Sequence, residues 1–366
     1  MSTYMSIVLE KIKFLLDKIK EQKSCDISYD SYIIRMENSR VFVLLELSYP
    51  VNNELIYKIK SNLKSRILSS INCNHLEILI DINFNIPTHI PCGDIKPISG
   101  VKNIITVSSG KGGVGKSTLS VNIALSLSNL GANVGILDAD IYGPSIPIML
   151  GIFDKPVILE NGNIAPLVGH GLQANSIGFM FDYNSPAIWR GPIMSKFIEQ
   201  LVNKTEWHNL DYLIIDMPPG TGDVAITMAS KVPIVGSIVV TTPQDVSLID
   251  VRRCLSMLKK LNITVLGIIE NMSFHICSKC NHKEYIFGLD GGHRLAKQND
   301  MPLLGKVPID YRISKQSDVG LPIVAHDPYG DIAKYYLDIA LNVSISLASL
   351  PKKSSVRFPK IMLKKI

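Results

Sequence analysis

A glycine-rich run that ends in a lysine and two hydroxyl residues is the clearest chemical signal in the sequence. It satisfies the spacing G-x-x-x-x-G-K-[ST]. Glycines let backbone N–H groups wrap a phosphate without Cβ clashes, and a following helix adds positive charge at its N-terminus. Lys116 is then placed to reach β- and γ-phosphate oxygens, and Ser117 to ligate Mg²⁺. We therefore predict a nucleotide site formed by Gly110, Lys111, Gly112, Gly113, Val114, Gly115, Lys116, Ser117 and Thr118.

Carboxylates follow two further hydrophobic runs. Asp216 ends the run 211–216, and we predict that it holds Mg²⁺ directly or through water. Asp138 and Asp140 end the run that follows the glycine-rich helix, and alternation along an extended chain places both on one side. One of the pair can help to hold Mg²⁺, whereas Asp140 is our candidate to orient or deprotonate the attacking water. A structural alternative is that Asp138 caps the next helix.

Two cysteines, Cys277 and Cys280, form a C-x-x-C just past a hydrophobic run. This spacing is compatible with a redox pair, half of a zinc site, half of an iron–sulfur site or a structural role. The sequence has no second C-x-x-C, so a four-thiolate site needs either a second subunit or unrelated residues such as His275 and His282. A symmetric dimer with this motif on its axis would supply four thiolates from two identical loops. The spacing alone leaves these alternatives open.

The elements that would position these residues alternate along residues 101–350. The chain of 366 residues is 46% hydrophobic and 19% charged, which excludes global disorder. Short continuous apolar runs separated by helical stretches are typical of strands buried on both faces. We therefore predict an α/β fold, a P-loop NTPase with a mostly parallel sheet flanked by helices, with strands at 104–107, 134–137, 213–215, 237–241, 265–269 and 303–307.

The sequence predicts four segments. Residues 1–85 have the pattern of a small α+β domain, with two helices and three strands, and the proline-spaced residues 86–100 form a linker. Residues 101–350 form the ATPase domain, and residues 351–366 form a basic tail. The net charge of +6 resides in that tail, so the body is neutral and nucleic-acid binding is not expected. We interpret the tail as solubilising.

The ends of the chain and its hydropathy predict a cytoplasmic protein. The first residues lack the pattern of a secretory signal, and no run approaches the roughly 18 apolar residues of a membrane helix. Six cysteines without a signal sequence indicate a reducing compartment. We expect no stable membrane association.

Several sequence blocks, in order over about 230 residues, resemble the Mrp/ApbC family of iron–sulfur cluster carrier proteins. This family belongs to the deviant P-loop ATPases and is related to the MinD/ParA group. Residues 1–85 resemble, more faintly, the small MIP18-like domain often fused ahead of these ATPases, but without the cysteine that commonly follows its second strand. The matching blocks are the glycine-rich run with Ser109, Asp-Ala-Asp-Ile-Tyr-Gly-Pro-Ser at 138–145, Trp-Arg-Gly-Pro at 189–192, Asp-Met-Pro-Pro-Gly-Thr-Gly-Asp at 216–223, Thr-Thr-Pro-Gln at 241–244, and Glu-Asn-Met-Ser at 270–273 with the two cysteines.

The resemblance implies a homodimer that binds ATP and Mg²⁺ on each subunit. Cys277 and Cys280 of both subunits would bridge a [4Fe–4S] cluster, which is delivered to apoproteins with slow ATP hydrolysis. Lys111 would reach the nucleotide of the partner subunit, and Asn271 would contact the adenine. The structural alternatives are a solvated loop lysine and a turn or helix-capping asparagine.

Three other functions compete with cluster delivery. The first is a positioning or partitioning ATPase that acts at a membrane or on DNA, to which the basic tail lends some support. The second is an ATP-coupled reductase, although its relatives space their cluster cysteines far apart. The third is an ATPase whose two subunits share a zinc ion.

Overall fold

The computed structural model describes residues 2–22, 29–37, 40–71, 76–92, 95–141, 143–180 and 191–353. The predicted basic tail beyond Lys353 and the residues Tyr142, Trp189 and Arg190 of the family blocks lie outside the described residues. The amino-terminal elements are α1 (Ser2–Gln22), β1 (Ser31–Glu37), β2 (Arg40–Leu47), α2 (Asn53–Ile71) and β3 (Glu77–Phe84).

The larger part of the chain contains the following elements in order: β4 (Val101–Ser109), α3 (Lys116–Asn129), β5 (Val134–Asp138), α4 (Ile146–Leu150), β6 (Leu167–Gly169), β7 (Leu172–Ser176), a 3₁₀ turn (Ile177–Phe179), α5 (Gly191–Lys204), β8 (Leu210–Asp216), α6 (Asp223–Lys231), β9 (Ile234–Thr241), α7 (Asp245–Lys260), β10 (Val265–Glu270), β11 (His275–Ile276), β12 (Lys283–Glu284), α8 (Gly291–Gln298), β13 (Leu303–Lys306), α9 (Tyr311–Asp318), α10 (Ile323–His326) and α11 (Asp331–Ala348).

One sheet of eight strands organises residues 101–306, in the order β13-β10-β9-β4-β8-β5-β7-β6. Every neighbouring pair is parallel except β6 and β7, which form an antiparallel hairpin at one edge. All residues of β5, β8 and β9 are buried, because helices cover both faces of the sheet. The predicted mostly parallel sheet is confirmed, and all six predicted strands are present.

The central position of β4 decides where the glycine-rich loop lies. β4 is flanked by β8 and β9, and β5 lies beyond β8. The carboxyl ends of these strands therefore meet at one edge of the sheet, where open α/β sheets bind ligands. Helix α3 begins at Lys116, because the glycine-rich loop passes directly into the helix.

The amino-terminal elements form a separate three-stranded sheet in the order β1-β2-β3, with its own apolar core. Strands β1 and β2 are antiparallel and β2 and β3 are parallel, because α2 crosses back between them. The two helices and three strands expected here are present. The exact domain boundaries stay predictions.

Among the described residues, no helix combines the length and the apolar character needed to cross a bilayer.

Candidate functional site

The glycine-rich loop leaves β4 and enters α3 with two left-handed glycines. Gly113 and Gly115 have φ of 80° and 81°, a region that costs residues with a Cβ about 1–2 kcal/mol. Gly110 meets a different constraint, since a Cβ there would overlap the backbone of Asp250 and Val251 in α7. The loop backbone is thus shaped as a phosphate-binding segment needs, with the N-terminus of α3 directly behind it.

The fully buried carboxylate of Asp216, at the end of β8, is the centre of a hydrogen-bond cluster. Its Oδ2 accepts from Ser117 Oγ at 2.6 Å and lies 2.8 Å from Lys116 Nζ. Its Oδ1 lies 2.6 Å from Ser120 Oγ. An adjoining hydroxyl and carboxylate are the oxygen donors that Mg²⁺ prefers, and a lysine beside them suits a polyphosphate. The donor set therefore fits MgATP.

Asp140 and Asp138, at the end of the neighbouring strand β5, differ in exposure. Asp140 Oδ2 is 3.7 Å from Lys116 Nζ and its side chain is partly exposed, so water can reach it. Asp138 is completely buried. Burial, and next to it the charge of Asp216, raises the pKa of Asp138 to about 7.

The hydrogen bonds of Asp138 point to a positioning role in addition to any contact with nucleotide. Its Oδ1 accepts from the backbone N–H of Asp140 at 3.1 Å. Its Oδ2 accepts from Ser176 Oγ at 3.0 Å and from the N–H of Ile146, the first residue of α4, at 3.3 Å. Asp138 thus orients Asp140 and caps α4, as the structural alternative anticipated, and its contact with nucleotide stays a prediction.

Two further predicted site residues are Lys111, in the glycine-rich loop, and Asn271, which follows β10, and they differ in their surroundings. Lys111 is half-buried, and the structure gives its ammonium group no ion pair within the described ranges. Asn271 is buried and its Nδ2 donates to the Val114 carbonyl at 2.8 Å. A Cβ at Gly115 would overlap that amide. Asn271 is therefore packed against the loop, and its predicted adenine contact would use the remaining polar atoms of the amide.

The cysteines lie on a short hairpin formed by β11 and β12. Cys277 is half-buried and Cys280 is exposed. The Cys277 N–H donates to the His282 carbonyl at 2.9 Å, and the Asn281 N–H donates to the Cys277 carbonyl at 2.9 Å. Hydrogen bonds from the backbone N–H groups of Lys279 and Cys280 are the main cause that lowers the pKa of the Cys277 thiol, which favours the thiolate that binds metal.

At this hairpin, the described residues of one chain do not bring together enough side chains to hold a metal ion. No cluster of three or more His, Cys, Asp or Glu side chains within the described ranges is arranged to hold a metal ion. His275 and His282 therefore do not complete a site with the two thiols in one chain. The ring of His275 instead contacts the Ile309 carbonyl at 3.2 Å.

Sequence reasoning missed three buried groups around the site. Ser120 follows Lys116 by one helical turn and contacts Asp216, which a helical wheel would have indicated. Ser176 ends β7, a strand that was not predicted, so nothing in the sequence signalled its contact with Asp138. Glu270 is fully buried and accepts from the Gly292 N–H at 2.5 Å and from Ser273, a long-range pairing without a local signal.

A parallel sheet with a glycine-rich loop, its lysine and serine, and an acidic residue on the neighbouring strand define a P-loop NTPase. The family model for ParA, described as "NUBPL iron-transfer P-loop NTPase", matches residues 100–344. The chain belongs to this family.

Known proteins of similar sequence and structure agree with this assignment. The "Iron-sulfur cluster carrier protein" of Haemophilus influenzae is 46% identical over 305 residues, which cover 83% of this chain and 82% of that protein. The "Iron-sulfur cluster transfer protein NUBPL" of Mus musculus is 45% identical over 259 residues, 70% of this chain and 81% of that one. A nucleotide-binding protein of Archaeoglobus fulgidus, solved with ADP, superposes with a TM-score of 0.56 at 32% identity and covers 64% of this chain and 91% of its own.

Proposed function

We propose that this chain is an ATP-dependent carrier of iron–sulfur clusters. Two copies hold one [4Fe–4S] cluster between their Cys277 and Cys280 thiolates and deliver it to apoproteins. The observation that carries this proposal is the presence, in one chain, of a complete phosphate-binding constellation and a hairpin with only two thiolates. The carrier and transfer names of the relatives support the same conclusion.

A shared cluster follows from ligand number. A [4Fe–4S] cluster is commonly held by four thiolates, and one hairpin supplies two. A two-fold axis that passes between two hairpins would bring four together without any further residue. Because Cys280 is exposed, such a site is open to ligand exchange, which a carrier needs. We expect ligand exchange to be slower at a buried cluster.

At the nucleotide, the chain would act through positioning and charge. Ser117 and Asp216 would hold Mg²⁺, which neutralises phosphate charge when bound. Lys116 would bind phosphate oxygens from the same chain, and Lys111 those of the partner subunit's nucleotide. Asp140, held by Asp138, would orient the attacking water and accept its proton.

Anaerobic reconstitution with iron and sulfide tests the proposal most directly. We expect the absorbance of a [4Fe–4S] cluster, one cluster for two chains, and the mass of a dimer in native mass spectrometry. The double variant Cys277→Ala/Cys280→Ala should lose the cluster and keep nucleotide binding, whereas Ser278→Ala in the same loop should keep both. If instead one zinc ion per dimer stays bound and no iron is incorporated, the zinc-bridged alternative is established.

Nucleotide hydrolysis is tested at the lysine of the loop. Lys116→Ala should reduce ATP hydrolysis by at least about a hundredfold, because removal of a preorganised charge from a developing phosphate charge costs about 3 kcal/mol or more. The exposed Lys297→Ala is the matched control. Hydrolysis that persists in Lys116→Ala would show that the phosphate site has been misassigned.

A further inference from the structure

The chain between the glycine-rich loop and the cysteine hairpin is short and anchored at several points. It begins at Asn271, directly after β10. The Asn271 N–H donates to the Thr241 carbonyl at 2.8 Å, which continues the pairing of β10 with β9. Its side chain donates to the Val114 carbonyl, and the amide fills the space beside Gly115. Asn271 is therefore fixed to the sheet by its backbone and to the loop by its side chain.

The next residue, Met272, has a backbone conformation that disfavours its own side chain. Its φ is 53°, in the left-handed region. Asn, Asp and Gly adopt this region readily, and among the described residues the other left-handed positions outside glycine are five Asn or Asp and one His. A left-handed Met is strained and persists only because its neighbours hold it. Strain of this kind is typical of switch segments.

Beyond Met272 the chain is fixed to a different part of the molecule. The Ser273 N–H donates to the Val307 carbonyl at 2.9 Å, and its hydroxyl donates to buried Glu270. The Ile309 N–H donates to the Phe274 carbonyl at 2.7 Å. The segment then becomes β11 and reaches Cys277. One strained residue thus separates the contact with the nucleotide loop from the base of the cysteine hairpin.

We propose that the turn Asn271–Met272–Ser273 is a strained joint that transmits a change in the glycine-rich loop to the cysteine hairpin. When phosphate binds, the backbone of the loop adjusts, and the Val114 carbonyl and Gly115 move with it. Asn271 follows because it has no free space beside Gly115. Its backbone bond to β9 limits movement along the sheet, so the displacement of its side chain passes to Met272, which lies in a costly conformation, and from there to the segment beyond it. The hairpin then shifts relative to the sheet.

This inference rests on the proposed function for its biological meaning, since a moving hairpin changes the geometry of the thiolates that would hold the cluster. The joint itself is a property of the chain without cluster. It can therefore be tested separately.

The test uses Met272→Gly in the full chain. Glycine adopts a φ of 53° without cost, so the variant keeps the turn and removes the strain, together with the Met272 side chain, whose Cε reaches the space beside Gly115. The matched control is Asp300→Gly, which has the same φ of 53° in the turn between α8 and β13, away from both sites. Hydrogen exchange of the amides of residues 273–284 is measured by mass spectrometry, with and without MgATP, in the chain without cluster.

In the wild type and in Asp300→Gly we expect MgATP to change exchange in residues 273–284 by at least about threefold. In Met272→Gly the change should fall below about one-third of that value while the affinity for MgATP stays within twofold. A wild-type hairpin that does not respond to MgATP, or a Met272→Gly hairpin that responds fully, would overturn the joint. Loss of MgATP affinity in Met272→Gly would also overturn it, because the turn would then belong to the nucleotide pocket itself.

A second measurement separates this inference from the proposed function. Cluster content after reconstitution and the ratio of transfer rates with and without MgATP are compared for the same variants. If the wild type does not bind the cluster, the carrier function is contradicted, whereas the hydrogen-exchange result for residues 273–284 still stands. A wild type that binds and transfers with MgATP dependence, together with a Met272→Gly variant of equal dependence, contradicts the joint alone. We expect Met272→Gly to bind the cluster and to lose most of the MgATP dependence.

Discussion

At the scale of single residues, the buried Asp216 carboxylate depends on two hydroxyls of α3. Ser117 contacts one of its oxygens and Ser120 the other, each at 2.6 Å. The Ser120 oxygen is also 3.0 Å from the Lys116 carbonyl, but a hydroxyl has one proton and the charged acceptor at the shorter distance is favoured. Ser120 is therefore a positioning residue for the predicted Mg²⁺ ligand.

We expect Ser120→Ala to weaken the Mg²⁺-dependent part of nucleotide affinity by about tenfold, since a hydrogen bond to a charged group contributes about 1.5–3 kcal/mol. Affinity for a fluorescent ADP is measured with Mg²⁺ and with a chelator. Ser120→Thr should restore the wild-type difference. Ser126→Ala is the matched control, because its buried hydroxyl in the same helix has no hydrogen-bond partner among the described residues. An equal loss of ADP affinity with and without Mg²⁺ would contradict the positioning role of Ser120.

The buried Asp138 gives a dependence of stability on pH with a defined sign. Its folded-state pKa is raised to about 7, whereas an unfolded chain ionises it near 4. Between pH 4 and pH 7 the folded chain keeps a proton on Asp138 that the unfolded chain has released. The stability contributed by this difference is fully present below about pH 4 and is lost as the pH rises through 7. Other carboxylates change their protonation in the same pH range. The effect of Asp138 is therefore measured as the difference in stability between the wild type and a variant without this carboxyl.

The free energy of unfolding in urea is compared for the wild type and Asp138→Asn from pH 4.5 to 8. We expect the wild type to lose on the order of 2 kcal/mol relative to the variant across this range. The exposed Asp154→Asn should show no such change. A constant difference between wild type and Asp138→Asn would mean that the carboxyl ionises at its ordinary pKa.

At the scale of elements, the cysteine hairpin has strands of only two residues each, so side chains must help to hold it. The Lys283 ammonium lies 3.7 Å from the centre of the Phe274 ring and 5.5 Å from that of Tyr285. Phe274 is buried and also contacts Tyr335 of α11. This cation–π contact ties β12 to the body of the molecule.

Lys283→Met should increase hydrogen exchange of residues 275–284 by about threefold, since an exposed cation–π contact contributes about 0.5–1 kcal/mol. Lys279→Met, in the exposed loop of the hairpin, is the control and should leave the exchange unchanged. Equal exchange in the wild type and Lys283→Met would show that the backbone bonds of the hairpin suffice.

At the scale of the whole molecule, α11 belongs to two apolar cores. Its residues Tyr336, Ile339 and Val343 are buried in the core of the large sheet. On another face, Leu341 and Ile345 pack against the core of the amino-terminal sheet. Helix α11 is thus one of the contacts that join the two sheets.

Ile345→Asn should lower the stability of the amino-terminal elements by about 2 kcal/mol, because it places a polar group in an apolar contact. Thermal unfolding of this variant should separate into two transitions. MgADP should raise the midpoint temperature of only the later one. Ser349→Ala, on the exposed end of the helix, is the control. A single transition whose midpoint temperature rises with MgADP would contradict the claim that this contact stabilises the amino-terminal elements separately.

The sequence by itself determined six of the eight strands of the large sheet, the glycine-rich loop and the acidic residues at the strand ends. These are local signals, because β-branched runs, glycine spacing and a terminal aspartate depend on neighbouring residues only. It also determined which two cysteines lie close together, since the C-x-x-C is local, whereas the hairpin that holds them was not predicted.

Only the tertiary structure decided which groups surround the charges. Asp138 became a buried positioning carboxylate because β5, β7 and α4 converge on it. Asn271 became a support of the loop because the chain leaves β10 against the glycine-rich loop, at the Val114 carbonyl. The strain at Met272 likewise arises from anchors on either side of it that are distant in sequence. Burial, pKa and strain depend on such long-range neighbours, and no periodicity or motif records them.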